Sequence, residues 1–350
     1  MKVGPSAKLT VVIPTYNRAP FFERLLGFAC EVHFPFWLQV ADSSNEENRK
    51  QNEAFVGIHS AALGIGYCHF DCGLMEKLFR SVESITTPYC CFWADDDFQL
   101  PEGLLSCLCY LDQYEDYGSC MGQFLAVRRD GADTDVFLET YPSRDESSSA
   151  ERVLRWSENF YSNFYAVYRT PLLLEMLRAA TKASCYERCR IIPEVLMGQM
   201  SLLLGRQKML EEPSIVYQMH PGNDSRVTPC VRDHDAFPED YRRYRETTAQ
   251  VFSHATGLPL SEADRLVDQS FRNVHRWTGG RGWIFKKLFE NIRRPWFRMQ
   301  LRRDARRTNP RFTRVKKVQI SADDLLLKSG AVAMAMKAIA EHPKGTVRQN

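Results

Sequence analysis

The sequence predicts an α/β fold, and two patterns carry that expectation. Short apolar runs alternate with stretches of helical spacing through the first half of the chain. Three of those runs also stop abruptly on polar residues, at Thr15, Asp42 and Asp95. The 350 residues are 44% hydrophobic and 25% charged, enough for one large domain or a domain with an appendage.

The elements follow in order. Leu9–Ile13 (LTVVI) reads as the first strand; it ends at Pro14, and Tyr16-Asn17-Arg18 form a loop. Phe21 to Cys30 has helical spacing, and Phe36–Ala41 reads as the second strand, ending on Asp42. Ser43 to Asn52 opens with helix-capping residues and predicts an exposed helix. Gly66–Phe70 is the third strand, Leu74 to Ile85 a helix, and Tyr89–Trp93 the fourth strand. Pro101, favoured in a first turn, opens the helix GLLSCLCYLDQY. Ser119–Arg128 and Thr134–Thr140 predict a hairpin about Asp130-Gly131. Asn163–Tyr168 is a further strand, Pro193 starts the helix EVLMGQMSLLLG, and Ser214–His220 is the last strand. After Arg232 the pattern is helical only, near 237–255, 261–277, 283–303 and 321–340. The expected boundary lies between Gly222 and Phe237, where Pro, Gly, Asn and Asp collect. That divides the chain into 1–232, with halves near 8–128 and 129–232, and a partly basic helical region, 233–350.

No apolar run is long enough to span a bilayer, and MKVGPSAKLTVVIP lacks the pattern of a secretory leader. The eleven cysteines show no zinc-ligand spacing; reduced thiols and a cytoplasmic chain are expected, with most cysteines acting as small core residues. The net charge of +3 hides an asymmetry: 272–317 holds sixteen Lys or Arg against Glu290 and Asp304.

CCFWADDDF poses the functional question. Asp95, Asp96 and Asp97 repel one another unless a cation lies among them; they could hold a metal ion, cap a helix or form a solvated turn. In open α/β sheets ligands sit beyond the carboxyl ends of the strands. If the strands are parallel neighbours, Thr15–Arg18, Asp42 and the Asp triplet converge on one crevice.

VVIPTYNR, an Asp ending the second strand, and KLFRSVESITTPYCCFWADDDFQLPEGL together resemble the inverting family-2 glycosyltransferases of the GT-A fold, in particular a bacterial subgroup with a DDDF motif. The resemblance spans roughly residues 8 to 222. It implies a nucleotide-diphospho-sugar transferase-like mixed sheet flanked by helices, with a C-terminal helical extension. It implies a nucleotide-sugar donor, UDP-sugar first, and a divalent ion, Mg²⁺ or Mn²⁺, to offset the charge of the diphosphate leaving group. Within the motif it implies Asp97 for metal and Asp95 for ribose, with Asp96 beside the nucleotide; relatives carry a further Asp where this chain has Ala94. Pro14, Thr15, Tyr16 and Asn17 match the loop lining the nucleobase, and Asp42 the base-reading acid. Lys77 and Arg18 match basic positions facing the phosphates, and each also reads as an ordinary solvated cation. The general base for the acceptor hydroxyl falls on Glu194, a lone acid after Pro193, which also suits a helix N-terminus; Glu187 and Asp71 are weaker choices. His220 matches a late metal ligand or phosphate donor, with Asn223 and Ser225 in the same loop.

The expected acceptor is a bacterial surface glycan or its lipid-linked precursor. The basic, aromatic segment 272–317 could lie on an anionic membrane, placing the protein on its inner face, or bind a polyanionic acceptor. It could equally pack its aromatics on the catalytic domain with its charges in water. No nucleic-acid motif accompanies it. The competing function is a non-catalytic glycan- or membrane-binding scaffold on a degenerate GT-A core, motivated by Ala94. A nucleotidyltransferase would need a Gly-rich phosphate loop after the first strand, and PTYNR is not one.

Overall fold

A computed structural model describes residues 6–130, 133–183, 191–220, 238–279, 316–320 and 329–341. Its centre is a ten-stranded mixed sheet. β1 (Ser6–Thr15), β2 (Phe36–Asp42), β3 (Ile65–His69) and β4 (Tyr89–Phe92) lie side by side and parallel in the order β4-β1-β2-β3. β5 (Phe98–Gln99) follows the Asp triplet, and β6 (Tyr117–Asp130) forms the expected hairpin with β7 (Asp133–Thr140). β8 (Val167–Arg169) runs antiparallel between β4 and β6, and β9 (Arg206–Met219) pairs with both β5 and β6.

β1, β2 and β4 are mostly apolar where both faces are covered, whereas β3, at the end of the strand order, is partly exposed. Alternation then divides their side chains between two cores. Leu9, Val11, Ile13, Cys91 and Trp93 join one face, against α1 (Ala19–Glu31) and α4 (Pro101–Gln113). Val12, Cys90 and Phe92 join the other. That second face is covered by α3 (Leu74–Glu83), α5 (Ser149–Glu158), α6 (Thr170–Ala183) and α7 (Ile191–Leu204), with α8 (Pro238–Thr256) and α9 (Leu260–Gly279) behind them. α2 (Glu46–His59) is polar and capped by Asn45, whose side chain accepts from the Asn48 amide. Most described cysteines of the sheet, Cys90, Cys91 and Cys120, are buried core residues.

Three expectations need correction. The stretch after Arg232 is not helical only. Lys316–Ile320 forms β10, which pairs with β7 at the sheet edge, and α10 (Gly330–Glu341) packs its Ala331, Val332, Ala335 and Ile339 into the α1 face. Of the helix expected over 321–340, the part from Gly330 on is helical, and 321–328 lie outside the described residues, as does 283–303. Second, the strand expected at Asn163–Tyr168 begins only at Val167, because its aromatics are buried by tertiary contact from a turn closed by Ala166 N–H to the Asn163 carbonyl. Third, β9 starts well before Ser214. Its first half, RQKMLEEP, is mostly polar, and pairing with β6, joined by a bridge from Arg144 to Gln207, makes it a strand.

Two glycines mark close approaches. A Cβ at Gly122 would strike the Glu212 carbonyl, so β6 can pass β9 there only without a side chain. A Cβ at Gly198 would enter the buried Trp156 indole, which sets how closely α5 and α7 pack.

Candidate active site

The strand order brings the three polar ends to one rim. β1 lies between β2 and β4, and Thr15 sits in register with Asp42. From the same residue the Thr15 hydroxyl donates to Asp95 Oδ2 at 2.9 Å. The acids that are far apart in the chain are thus joined through a single threonine.

Asp95–Asp97 is not a solvated turn. The three residues are only 3%, 6% and 1% exposed. The turn is fixed by its backbone: Trp93 N–H bonds the Val12 carbonyl, Asp97 N–H the Ala94 carbonyl, and Trp93 Nε1 donates to the Asp97 carbonyl at 2.8 Å. Phe98 then pairs with Val216, locking the triplet's exit to β9.

Burying three carboxylates demands cations. Arg18, the residue that opens α1, forks across two of them: Nη1 lies 2.8 Å from Asp95 Oδ1 and Nη2 2.6 Å from Asp96 Oδ2. His220, just past β9, donates from Nε2 to the same Asp96 Oδ2 at 2.9 Å. Arg24 on α1 donates to the Asp96 carbonyl at 2.9 Å and to Gln218 Oε1 at 2.6 Å. The Phe21 ring lies among these cations, stacked on His220 and 4.4 Å beneath the Arg18 guanidinium. Asp97 differs: the Tyr165 hydroxyl donates to Oδ2 and Gln218 N–H to Oδ1, so both its oxygens are taken by the protein.

The three acids titrate apart. Burial, only partly countered by Arg18, pushes Asp95 up to about 6. Burial also opposes charge on Asp96, but His220 and Arg18 outweigh it and hold that carboxyl down at about 2. Burial and the Asp96 charge push Asp97 well above the ordinary range, against Tyr165 and Gln218. Arg24 is itself brought down to about 10 by burial, although all three acids oppose this. Asp96 is therefore the firmly ionised member. Its Oδ1 accepts no hydrogen bond among the described residues.

Asp42, Lys77, Tyr16 and Asn17 flank this centre. Asp42 is fully buried; Oδ1 accepts Ser44 N–H at 2.7 Å, and Oδ2 accepts Asn52 Nδ2 at 2.9 Å and the Tyr67 hydroxyl at 2.7 Å. Burial raises its pKa, but those bonds outweigh it and hold the carboxyl below its usual value. Lys77 is not a solvated helix lysine: it is 2% exposed, and Nζ donates to the Thr15 carbonyl at 2.7 Å and to Ser43 Oγ at 2.8 Å. Tyr16 is 57% exposed at the mouth of the rim, and Pro14 pairs with Ala41 behind it. Asn17 takes φ 53°, a left-handed conformation that Asn tolerates, and its N–H and Oδ1 bond Ser44 Oγ and Asn45 N–H, joining the first two rim loops. Glu194 stands half-buried in the first turn of α7, between buried Pro193 and Val195. Asp71 is exposed before α3; Glu187, Asn223 and Ser225 lie outside the described residues, as does most of 272–317.

Arg24, Tyr67, Tyr165 and Gln218 enter the site without having been singled out. A signal existed for Arg24: Arg18, Phe21 and Arg24 recur at three-residue spacing, which puts them along one helix face. For Tyr165 and Gln218 there was none, because their partners are distant in sequence.

No family model matches the chain, and no curated protein matches it by sequence. Solved structures do. S. aureus TarS 1–349 superposes with a TM-score of 0.54 at 18% identity, over 78% of this chain and 72% of that one. The fold is shared. TarS 1–349 in complex with UDP-GlcNAc gives 0.52 at 16% identity, over 77% and 72%. A longer S. aureus TarS chain gives 0.51 at 17%, over 77% of this chain and 43% of that one. The mixed sheet flanked by helices, expected as the GT-A class, is thus the architecture both of this chain and of its structural neighbours.

Proposed function

We propose that the chain is a metal-dependent, inverting glycosyltransferase that moves a sugar from a nucleotide-sugar, UDP-sugar first, to a surface-glycan or lipid-linked acceptor. One observation carries the reading: Thr15 links the register partner Asp42 to the buried Asp95–Asp97 turn at the carboxyl rim of parallel strands, where this fold class receives nucleotides. The UDP-GlcNAc complex of the structural neighbour TarS gives the donor class independent support.

In this reading Tyr16 stacks on the nucleobase from its exposed position, and Asp42, fixed by donors from Ser44, Asn52 and Tyr67, is the base-reading acid. Lys77 holds the Thr15 carbonyl and adds a fixed positive charge behind the diphosphate. Asp95 serves the ribose. A divalent cation would find one suitable donor here: Asp96 Oδ1 is an ionised, hard oxygen, although the described residues form no group of three His, Cys, Asp or Glu that encloses an ion. Mg²⁺ or Mn²⁺ commonly takes only one or two protein carboxylates and leaves its other positions to phosphate and water. Asp96, with His220 beside it, is a better ligand than the Asp97 expected from the motif, whose oxygens are engaged. Bound there, the ion offsets the charge that builds on the leaving diphosphate. Glu194 takes the proton from the acceptor hydroxyl. The basic segment 272–317 meets an anionic acceptor or membrane surface.

Thermal shift with a panel of nucleotides and nucleotide-sugars in the presence of Mn²⁺ tests the reading, because bound donor stabilises the folded state. UDP or a UDP-sugar raises the melting temperature if the reading is right. A flat response across the panel favours the scaffold that Ala94 would permit.

A further inference from the structure

Three carboxylates and one forked arginine leave a physical conflict at the rim. The guanidinium of Arg18 spans Asp95 Oδ1 and Asp96 Oδ2, the position from which a divalent cation at Asp96 would repel it. The arginine is also the more exposed partner of the pair. Its backbone is fixed at the start of α1, where its carbonyl accepts Phe21 and Phe22 N–H, but its side chain is 29% exposed against 3% and 8% for the two acids. Beneath it the Phe21 ring lies 4.4 Å from the guanidinium. Arg24 is instead tied to Gln218 and the Asp96 carbonyl.

We infer that Arg18 is an exchangeable counter-ion. In the empty site it neutralises Asp95 and Asp96. On loading it releases them to the incoming cation and pairs instead with the donor's diphosphate, for which a planar, bidentate guanidinium is suited. The inference rests on the nucleotide-sugar reading above and assigns a sequence of partners to one of its residues. It has a thermodynamic consequence. A cation arriving alone must displace Arg18 with no new anion to receive it, whereas a cation arriving with a diphosphate supplies one. Cation and nucleotide therefore bind with positive coupling, and that coupling runs through residue 18.

The test reads Mn²⁺ binding directly, by loss of the free-ion electron paramagnetic resonance signal, on the full chain with and without saturating UDP. For the wild type, UDP tightens Mn²⁺ binding about tenfold or more. Arg18→Gln binds Mn²⁺ alone more tightly than the wild type and loses most of the UDP-dependent gain. Arg18→Lys keeps a charge but cannot fork across both acids, and falls between the two; it carries the comparison if Arg18→Gln melts early. The proposal is overturned if both variants bind Mn²⁺ alone no better than the wild type while UDP still tightens it; the donor reading survives that result. Absence of UDP binding to the wild type at every Mn²⁺ concentration overturns the proposal and the donor reading together.

Discussion

Individual residues at the rim divide into those that hold the site and those open to a ligand, and substitution separates them. Asp96 is ionised and keeps one oxygen uncommitted, whereas Asp97 has both engaged by Tyr165 and Gln218. Asp96→Asn is expected to abolish Mn²⁺-dependent UDP binding with little change in melting temperature; Asp97→Asn is expected to lower the melting temperature first. Calorimetric titration with UDP and a thermal melt on each variant measure the two effects. Glu194→Gln is expected to leave UDP binding intact and reduce turnover by about 10²-fold or more, read as sugar transfer or donor hydrolysis. Near-normal turnover removes Glu194 as the base. Asp42 tests electrostatics away from the triplet. Its folded-state pKa is depressed, so its contribution is fully present above the unfolded value and disappears as pH falls through the folded one. Asp42→Asn should cost about 1–3 kcal/mol at pH 7, with the difference shrinking below about pH 4 in urea titrations. The residue types of the site were legible in the sequence, since Asp42 and the triplet stand at strand ends. Their pairings were not: Lys77 reads as a surface helix residue by its neighbours, and only the fold turns its amine toward the Thr15 carbonyl.

Elements with a strong local period could be read from the chain, and those formed by distant pairing could not. The four parallel strands and the helices between them follow from apolar runs that turn over at Pro14, Asp42 and Pro101. β10 and the first half of β9 are strands only because β7 and β6 offer them edges. The α5–α7 contact makes a sharp prediction at this scale. Gly198→Ala improves intrinsic helix propensity by about 1 kcal/mol. Yet it drives a methyl into Trp156, and overpacking a tight core costs about 1–3 kcal/mol. The variant should be net destabilised in chemical denaturation; a stabilised variant would mean that the indole moves aside freely.

Across the whole molecule, segments from both ends of the described chain meet on the α1 face of the sheet. α10 lays Ala335 and Ile339 against α1, the helix that carries Arg18 and Arg24, and Lys337 reaches Glu31 at 3.5 Å. Ile339→Ala should destabilise the fold by about 2–5 kcal/mol in urea denaturation, as expected for a truncated buried isoleucine. Among the described residues no helix is long and apolar enough to cross a membrane. The account as a whole rests on one rim that gathers a nucleotide diphosphate and a divalent cation. Calorimetric titration of UDP into the wild type and Asp96→Asn, each with Mn²⁺ and with chelator, tests this most directly. The account predicts saturable binding to the wild type that requires Mn²⁺ and is lost in the variant. Binding that survives both the chelator and the substitution, or no binding to the wild type at all, contradicts it.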